Sequence, residues 1–255
     1  MSNEEDWWKS FHVVEMADLF LTRSDPDELT ASVQFLAEEL ELDNGAWVYD
    51  QCCGTGTVSL ELAKKGMNAV GADLCEIYIQ RAQEESANQE LNCQFHCEDA
   101  FKFLPSHSVQ GVFNWYSSYG YAGSDSRNQE MLCRAFECLK GNGKFALDVP
   151  NFPGVVKNFQ YHLVRSGVSE GREVTCVRES QLDWKAGRLR QTWNWFVEGR
   201  KVDKRYSALR LYWPHQIVEA LTEVGFAEIQ MYGGIDKRPL KLDSPRLILV
   251  ARKPE

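Results

Sequence analysis

The chain has 255 residues, 44% of them apolar, which is enough for one large core and short for two independent domains. Its formal net charge of −9 argues against binding nucleic acid through phosphate neutralisation, and acids interrupt the basic runs "GREVTCVRES" and "GRKVDKR". The acidic start "MSNEEDWWKSFH" lacks a basic region followed by an apolar one, and no apolar run approaches the roughly 18 residues of a membrane span, so a cytoplasmic protein is expected.

From residue 46 short apolar runs alternate with helical patterns. "AWVYD" (46–50) predicts a strand and "VSLELAKKG" (58–66) a helix closed by Gly66. "NAVGAD" (68–73) is the next strand, followed by a helix over 76–89. Strands are expected at 92–99, 109–116 and 143–150, with a helix over 127–140 before the last. This repeated unit predicts a doubly wound, mostly parallel α/β sheet whose ligand lies at the carboxyl ends of the strands. After Pro150 the rhythm changes. Three alternating segments, "EVTCVRESQLDW", "LRQTWNWF" and "DKRYSALRLY", read as an antiparallel meander inserted after the fifth strand. A helix over 215–226 and strands "AEIQMY" and "PRLILVARK" then complete seven strands in the main sheet. One domain is expected: a helical cap over 1–45, a cofactor half over 46–150, the meander over 151–213 and a closing helix and strand pair over 214–255.

Asp50 ends the first strand, and Gly54 and Gly56 lie in the turn leading to the helix. Glycine there lets a ligand approach the backbone, and the helix start offers free amides. Asp73 ends the second strand, where a ribose diol would be gripped, and Asp99 ends the third, placed to accept from the exocyclic amine of adenine. Three carboxylates at three successive strand ends are poor core residues.

As an ordered set, "VYDQCCGTGTVSLELAKKG", "GADLCEIYIQRAQE", "CEDAFKF" and "LKGNGKFALDVPN" resemble the class I S-adenosylmethionine-dependent methyltransferases, and "ALTEVGFAEIQMYGG…DSPRLILVARK" is similar to the helix and strand pair that end that fold. The resemblance covers roughly residues 30–150 and 213–252. It implies a Rossmann-like methyltransferase fold and S-adenosyl-L-methionine as cofactor, held by Asp50, Cys52, Gly54, Gly56, Asp73, Leu74, Asp99, Ala100, Asn114 and Trp115. Cys52 stands where the family usually has a third glycine. The eight cysteines contain no CxxC and no histidine at zinc-ligand spacing, so Cys52 and Cys53 are expected to be bystanders and no metal is expected.

A dehydrogenase shares the glycine loop and ribose acid, but counting from Gly54 the third glycine of GxGxxG is Ser59, and counting from Cys52 the first is missing. Two other readings keep the fold: a cofactor-binding protein without turnover, and transfer or cyclisation of a group other than methyl. In the resembled family the segment after the fourth strand, here "NWYSSYGY" (114–121), lines the reaction centre. Its aromatic faces suit a sulfonium or an amine. The expected acceptor is a small molecule, first an amine nitrogen, with Tyr119, Tyr116 and His12 as candidate catalytic groups. Trp193 and Trp195 share one face of the meander, which is expected to pack on the sheet domain, pair two subunits as a homodimer, or cover the substrate. The leading "DWWKSFH" is expected either to close over the cofactor, bringing Trp7, Trp8 and His12, or to be a tethered amphipathic helix with no catalytic part.

Overall fold

The computed structural model describes residues 6–21 and 26–255. The parts of the expected cap at 1–5 and 22–25 lie outside the described residues.

The chain begins with a 3-10 turn at Trp7–Ser10, a short helix α1 (Val14–Met16) and a π-helical turn at Ala17–Leu21. Helix α2 (Pro26–Glu39) leads into the sheet domain: β1 (Trp47–Gln51), α3 (Thr57–Lys64), β2 (Asn68–Asp73), α4 (Glu76–Asn88), β3 (Cys93–Cys97), β4 (Val109–Asn114), α5 (Asp125–Cys138) and β5 (Leu139–Pro150). A short helix α6 (Phe152–Lys157) precedes four strands, β6 (His162–Ser169), β7 (Arg172–Asp183), β8 (Arg188–Val197) and β9 (Arg200–Arg210). Helix α7 (Pro214–Val224), β10 (Ala227–Tyr232) and β11 (Arg246–Arg252) close the fold.

The main sheet has seven strands in the order β10-β11-β5-β4-β1-β2-β3. β1 to β5 run parallel, and β11 pairs antiparallel with β5 and with β10. Strands buried on both faces put alternate residues into two cores. In β11, Leu247, Leu249 and Ala251 join Phe145, Leu147, Ile217 and Leu221 on one face, whereas Ile248 and Val250 join Ala146, Val48, Phe113 and Leu36 on the other. The arrangement is the doubly wound α/β sheet expected, with the antiparallel insertion after the fifth strand.

The meander forms its own four-stranded sheet, β6-β7-β8-β9, one strand more than the sequence pattern predicts. β6 escapes the pattern because it is an edge strand whose apolar positions Val164 and Val168 are 65% and 68% exposed, so no buried face marks it. The Trp193/Trp195 face packs on the N-terminal segment and not on the main sheet. It meets Phe11, Met16 and Leu19 of the N-terminal segment, together with Val174 and Cys176. Among the described residues no helix is long and apolar enough to cross a membrane.

Candidate active site

Asp50 lies near the carboxyl end of β1, 4% exposed, and accepts a hydrogen bond of 2.7 Å from the Ser59 hydroxyl of α3. Burial pushes its carboxyl up to about 7, against the Ser59 bond, which pulls the other way. The loop that follows bends through left-handed backbone at Cys52 (φ 65), Gly54 (φ 55) and Gly56 (φ 72). Cys52 therefore carries the conformation that glycine occupies at lowest cost, which accounts for glycine being usual there in the resembled family. Burial pushes the Cys52 and Cys53 thiols well up, which keeps both protonated.

The loop is fastened to the second strand through one carboxylate. Gly54 donates its amide to Asp73 Oδ2 at 2.9 Å, and Cys75 donates its amide to Asp73 Oδ1 at 2.9 Å. After β3, Phe101 donates its amide to Asp99 Oδ1 at 3.0 Å. Past β4 the backbone turns left-handed again at Tyr116 (φ 63) and Ser117 (φ 76), a conformation that needs support. Asp148 supplies it: its Oδ2 accepts from the Tyr116 amide at 3.0 Å and its carbonyl from the Ser117 amide at 3.1 Å, while Arg246 pairs with it at 2.7 Å.

These groups line one cavity with about 1000 Å3 of atom-free space, open solvent at its mouth included. Its floor is Asp50, Cys52, Gly54, Asp73, Leu74, Asp99 and Ala100; Trp115 and Tyr116 form one wall. The N-terminal segment supplies the roof with Trp8, His12 and Leu21. Tyr78 Oη donates to the Val13 carbonyl at 2.8 Å, and Asp18 bonds Arg81 of α4 at 2.7 Å and Ser169 of β6 at 2.6 Å, so the roof is tied to both sheets. Of the residues expected from sequence, ten therefore meet here.

Three do not. Tyr119 is 2% exposed in the main core, its ring 5.3 Å from Tyr212. The chain turns at Gly120 (φ +104), whose carbonyl accepts from Arg210 at the end of β9, sending Tyr119 inward and Tyr121 into the cavity instead. Asn114 is fully buried and donates to Gln51 Oε1 at 3.2 Å, behind the cavity wall. Gly56 faces Phe95, where a Cβ would lie 2.6 Å from the ring, so it lets helix and strand pack rather than a ligand approach. Ser118 and Tyr121 of the 114–121 segment line the cavity as that segment was expected to, and Tyr78 joins them unexpectedly. Tyr78 had no signal, lying inside an ordinary helical pattern.

A family model described as a methyltransferase domain matches residues 48–143. The CcbJ methyltransferase of Streptomyces caelestis superposes with a TM-score of 0.81 at 16% identity, over 99% of this chain and 100% of that one. The chain contains a methyltransferase domain, and its fold is that of the class I S-adenosylmethionine-dependent methyltransferases. Its cofactor is S-adenosyl-L-methionine. The sugar N-methyltransferase KedS8 of Streptoalloteichus sp ATCC 53650 has a TM-score of 0.74 with this methyltransferase at 18% identity, over 96% of this chain and 94% of that one. A Geobacillus sp. (strain WCH70) protein named as a methyltransferase is 24% identical over 210 residues, 81% of this chain and 84% of the relative. The mouse tRNA (uracil-5-)-methyltransferase homolog A is 41% identical over 71 residues, and those residues are 28% of this chain and only 12% of that relative's length.

The cavity of the methyltransferase fits that cofactor on its own evidence. Asp73 and Asp99 put two carboxylates on its lining, and the left-handed loop leaves backbone open between them. Three sealed polar atoms without a hydrogen-bond partner, Trp8 Nε1, His12 Nδ1 and Trp115 Nε1, belong to residues lining this one cavity. Among the described residues no group of three or more His, Cys, Asp or Glu is arranged to hold a metal.

Proposed function

We propose that this methyltransferase moves a methyl group to a small-molecule acceptor in the cytoplasm, with an amine nitrogen as the acceptor atom. The observation that carries the proposal is the cavity in which strand-end carboxylates lie opposite a wall and roof of rings: Trp8, Tyr78, Trp115, Tyr116 and Tyr121. Ring faces attract cations by about 0.5–2 kcal/mol depending on desolvation, which serves both a sulfonium and an ammonium. The net charge of −9 supports a small acceptor over a polyanion. The similarity in fold to a sugar N-methyltransferase supports nitrogen.

When bound, S-adenosylmethionine supplies an electrophilic methyl group on a sulfonium. The chain's own part is alignment and dryness. Asp73 and Asp99 fix the adenosine end, Trp115 and Tyr116 form the wall beside the reaction centre, and the roof keeps water out. The eight cysteines remain thiols in a reducing compartment.

The test is acceptor-dependent release of S-adenosylhomocysteine from S-adenosylmethionine across a panel of amino sugars, other amines, phenols and carbon acids. Release with amines alone supports the proposal. Release with hydroxyl or carbon acceptors alone moves the acceptor atom, and cofactor binding by calorimetry without any release makes the protein a binder.

A further inference from the structure

The geometry points to His12 as the base that takes the proton from an ammonium acceptor, delivered to the cofactor cavity by the N-terminal segment. This rests on the amine reading above.

His12 lines the cavity, yet among the described residues no group hydrogen-bonds its sealed Nδ1. A structural histidine is normally fixed by a hydrogen bond from or to one ring nitrogen. Here rings hold the imidazole instead: Phe11 edge-on at 5.2 Å, Tyr78 edge-on at 5.7 Å and Tyr121 stacked at 6.2 Å. Its orientation is thus set by packing while its proton-accepting chemistry stays uncommitted.

The other ionisable groups in the cavity are less suited to the task. Burial pushes up Tyr78, Tyr121 and Cys52, which keep their protons. Both oxygens of Asp73 accept backbone amides, Asp99 accepts the Phe101 amide, and Asp50 is bonded to Ser59 beneath the loop. His12 is lowered from its usual value near 6.5, chiefly by burial and also by Arg205 of β9, while Asp73 at the end of β2 pulls it the other way. With Tyr78 of α4 and Tyr121 of the loop after β4 also facing it, the imidazole is neutral at pH 7 and ready to accept a proton.

The step balances. R–NH3+ gives one proton to His12, leaving R–NH2 and an imidazolium. The nitrogen lone pair forms the bond to the methyl carbon as the carbon–sulfur bond breaks, and its electron pair leaves with neutral S-adenosylhomocysteine. The product is R–NH2CH3+, and the imidazolium returns its proton to water when the roof opens. Tyrosine faces beside the ring stabilise both cations in turn.

His12→Gln tests this with an amine that the wild-type enzyme methylates. At pH 7 the variant should lose about 100-fold or more in kcat/KM, the usual scale of general base catalysis. Near pH 9.5 it should recover to within about fivefold, because an alkyl amine with a pKa near 10 then arrives partly unprotonated. The wild-type profile should fall on the acid side below about 6.5, and the variant should lose that limb. Calorimetry should give the same S-adenosylmethionine affinity for both, within about threefold. A loss equal at pH 7 and 9.5 would mean that His12 only shapes the roof, and an unchanged rate at pH 7 would also overturn the role while leaving the amine reading standing. If no amine releases S-adenosylhomocysteine from the wild-type enzyme, the amine reading itself fails and the role falls with it.

Discussion

The floor and the roof of the cavity are held by different forces. The floor is fastened by short polar contacts between neighbours in sequence or in adjacent strands: Gly54 and Cys75 amides on Asp73, Ser59 on Asp50, Phe101 on Asp99. The roof is held mainly by rings, with Phe11 against Trp193 at 5.4 Å and Phe20 against Trp193 at 5.3 Å, and by Asp18, which reaches Ser169 across 151 residues. A hydrogen-bonded loop needs only its own strand and the next. A ring-packed roof needs a second sheet to close against. The meander therefore acts on the site indirectly, as the surface on which residues 7–21 rest.

The difference predicts that the two regions fail differently. Trp195→Ala removes a ring that is 1% exposed at the junction of meander and roof, and should cost on the order of 3–5 kcal/mol, read as a lower melting temperature. A cost under about 1 kcal/mol would mean that the roof does not rest on this face.

On the floor, Asp50 makes stability depend on pH. Its carboxyl is raised to about 7 in the folded protein, against about 3.9 in an unfolded chain, so between those values the folded state holds a proton that the unfolded state has lost. Stability then falls as pH rises through this window, by about 1.4 kcal/mol per pH unit, and levels off above about pH 7. Asp50→Asn should lack this slope, so the stability of wild type relative to the variant should fall by about 1.4 kcal/mol per pH unit across the window. Parallel curves from pH 4 to 7 would show that Asp50 is ionised throughout.

Asp73→Ala should weaken S-adenosylmethionine binding by about 1.5–3 kcal/mol, the range for hydrogen bonds to a charged group, since it also releases the loop. Unchanged affinity by calorimetry would remove Asp73 from the cofactor site. The smallest effect is expected at Cys52→Gly. Relief of a left-handed non-glycine residue is worth about 1 kcal/mol, offset by the lost contact with the Trp8–Phe101 cluster. The melting temperature should stay level or rise by about 2–4 °C, and cofactor affinity should hold or improve. A clear drop in melting temperature would show that the thiol's packing outweighs its strain.

The strand-end acids and the glycine loop could be read from sequence because their spacing is a local property: a strand of known length, a turn, a helix start. Asp50, Cys52, Gly54, Asp73, Leu74, Asp99 and Ala100 reach the cavity for that reason, whereas Gly56 shares the motif and turns out to serve helix packing against Phe95. After β4 the local rule stops. Alternation puts Tyr119 and Tyr121 on the same side, and only the contact between Gly120 and Arg210, ninety positions on, separates one into the core and the other into the site.

Sequence by itself determined the order of strands and helices, the place of the insertion and the side of the sheet on which a ligand lies, because hydrophobic periodicity and the handedness of strand–helix–strand connections leave little choice. The tertiary structure alone decided that Trp193 and Trp195 hold a roof rather than cover the substrate themselves, that His12 faces the cofactor cavity with an unclaimed nitrogen, and that the Asp50 carboxyl is raised. Each of these depends on which distant surfaces exclude water from a given atom, and periodicity along one segment carries no record of what closes over it.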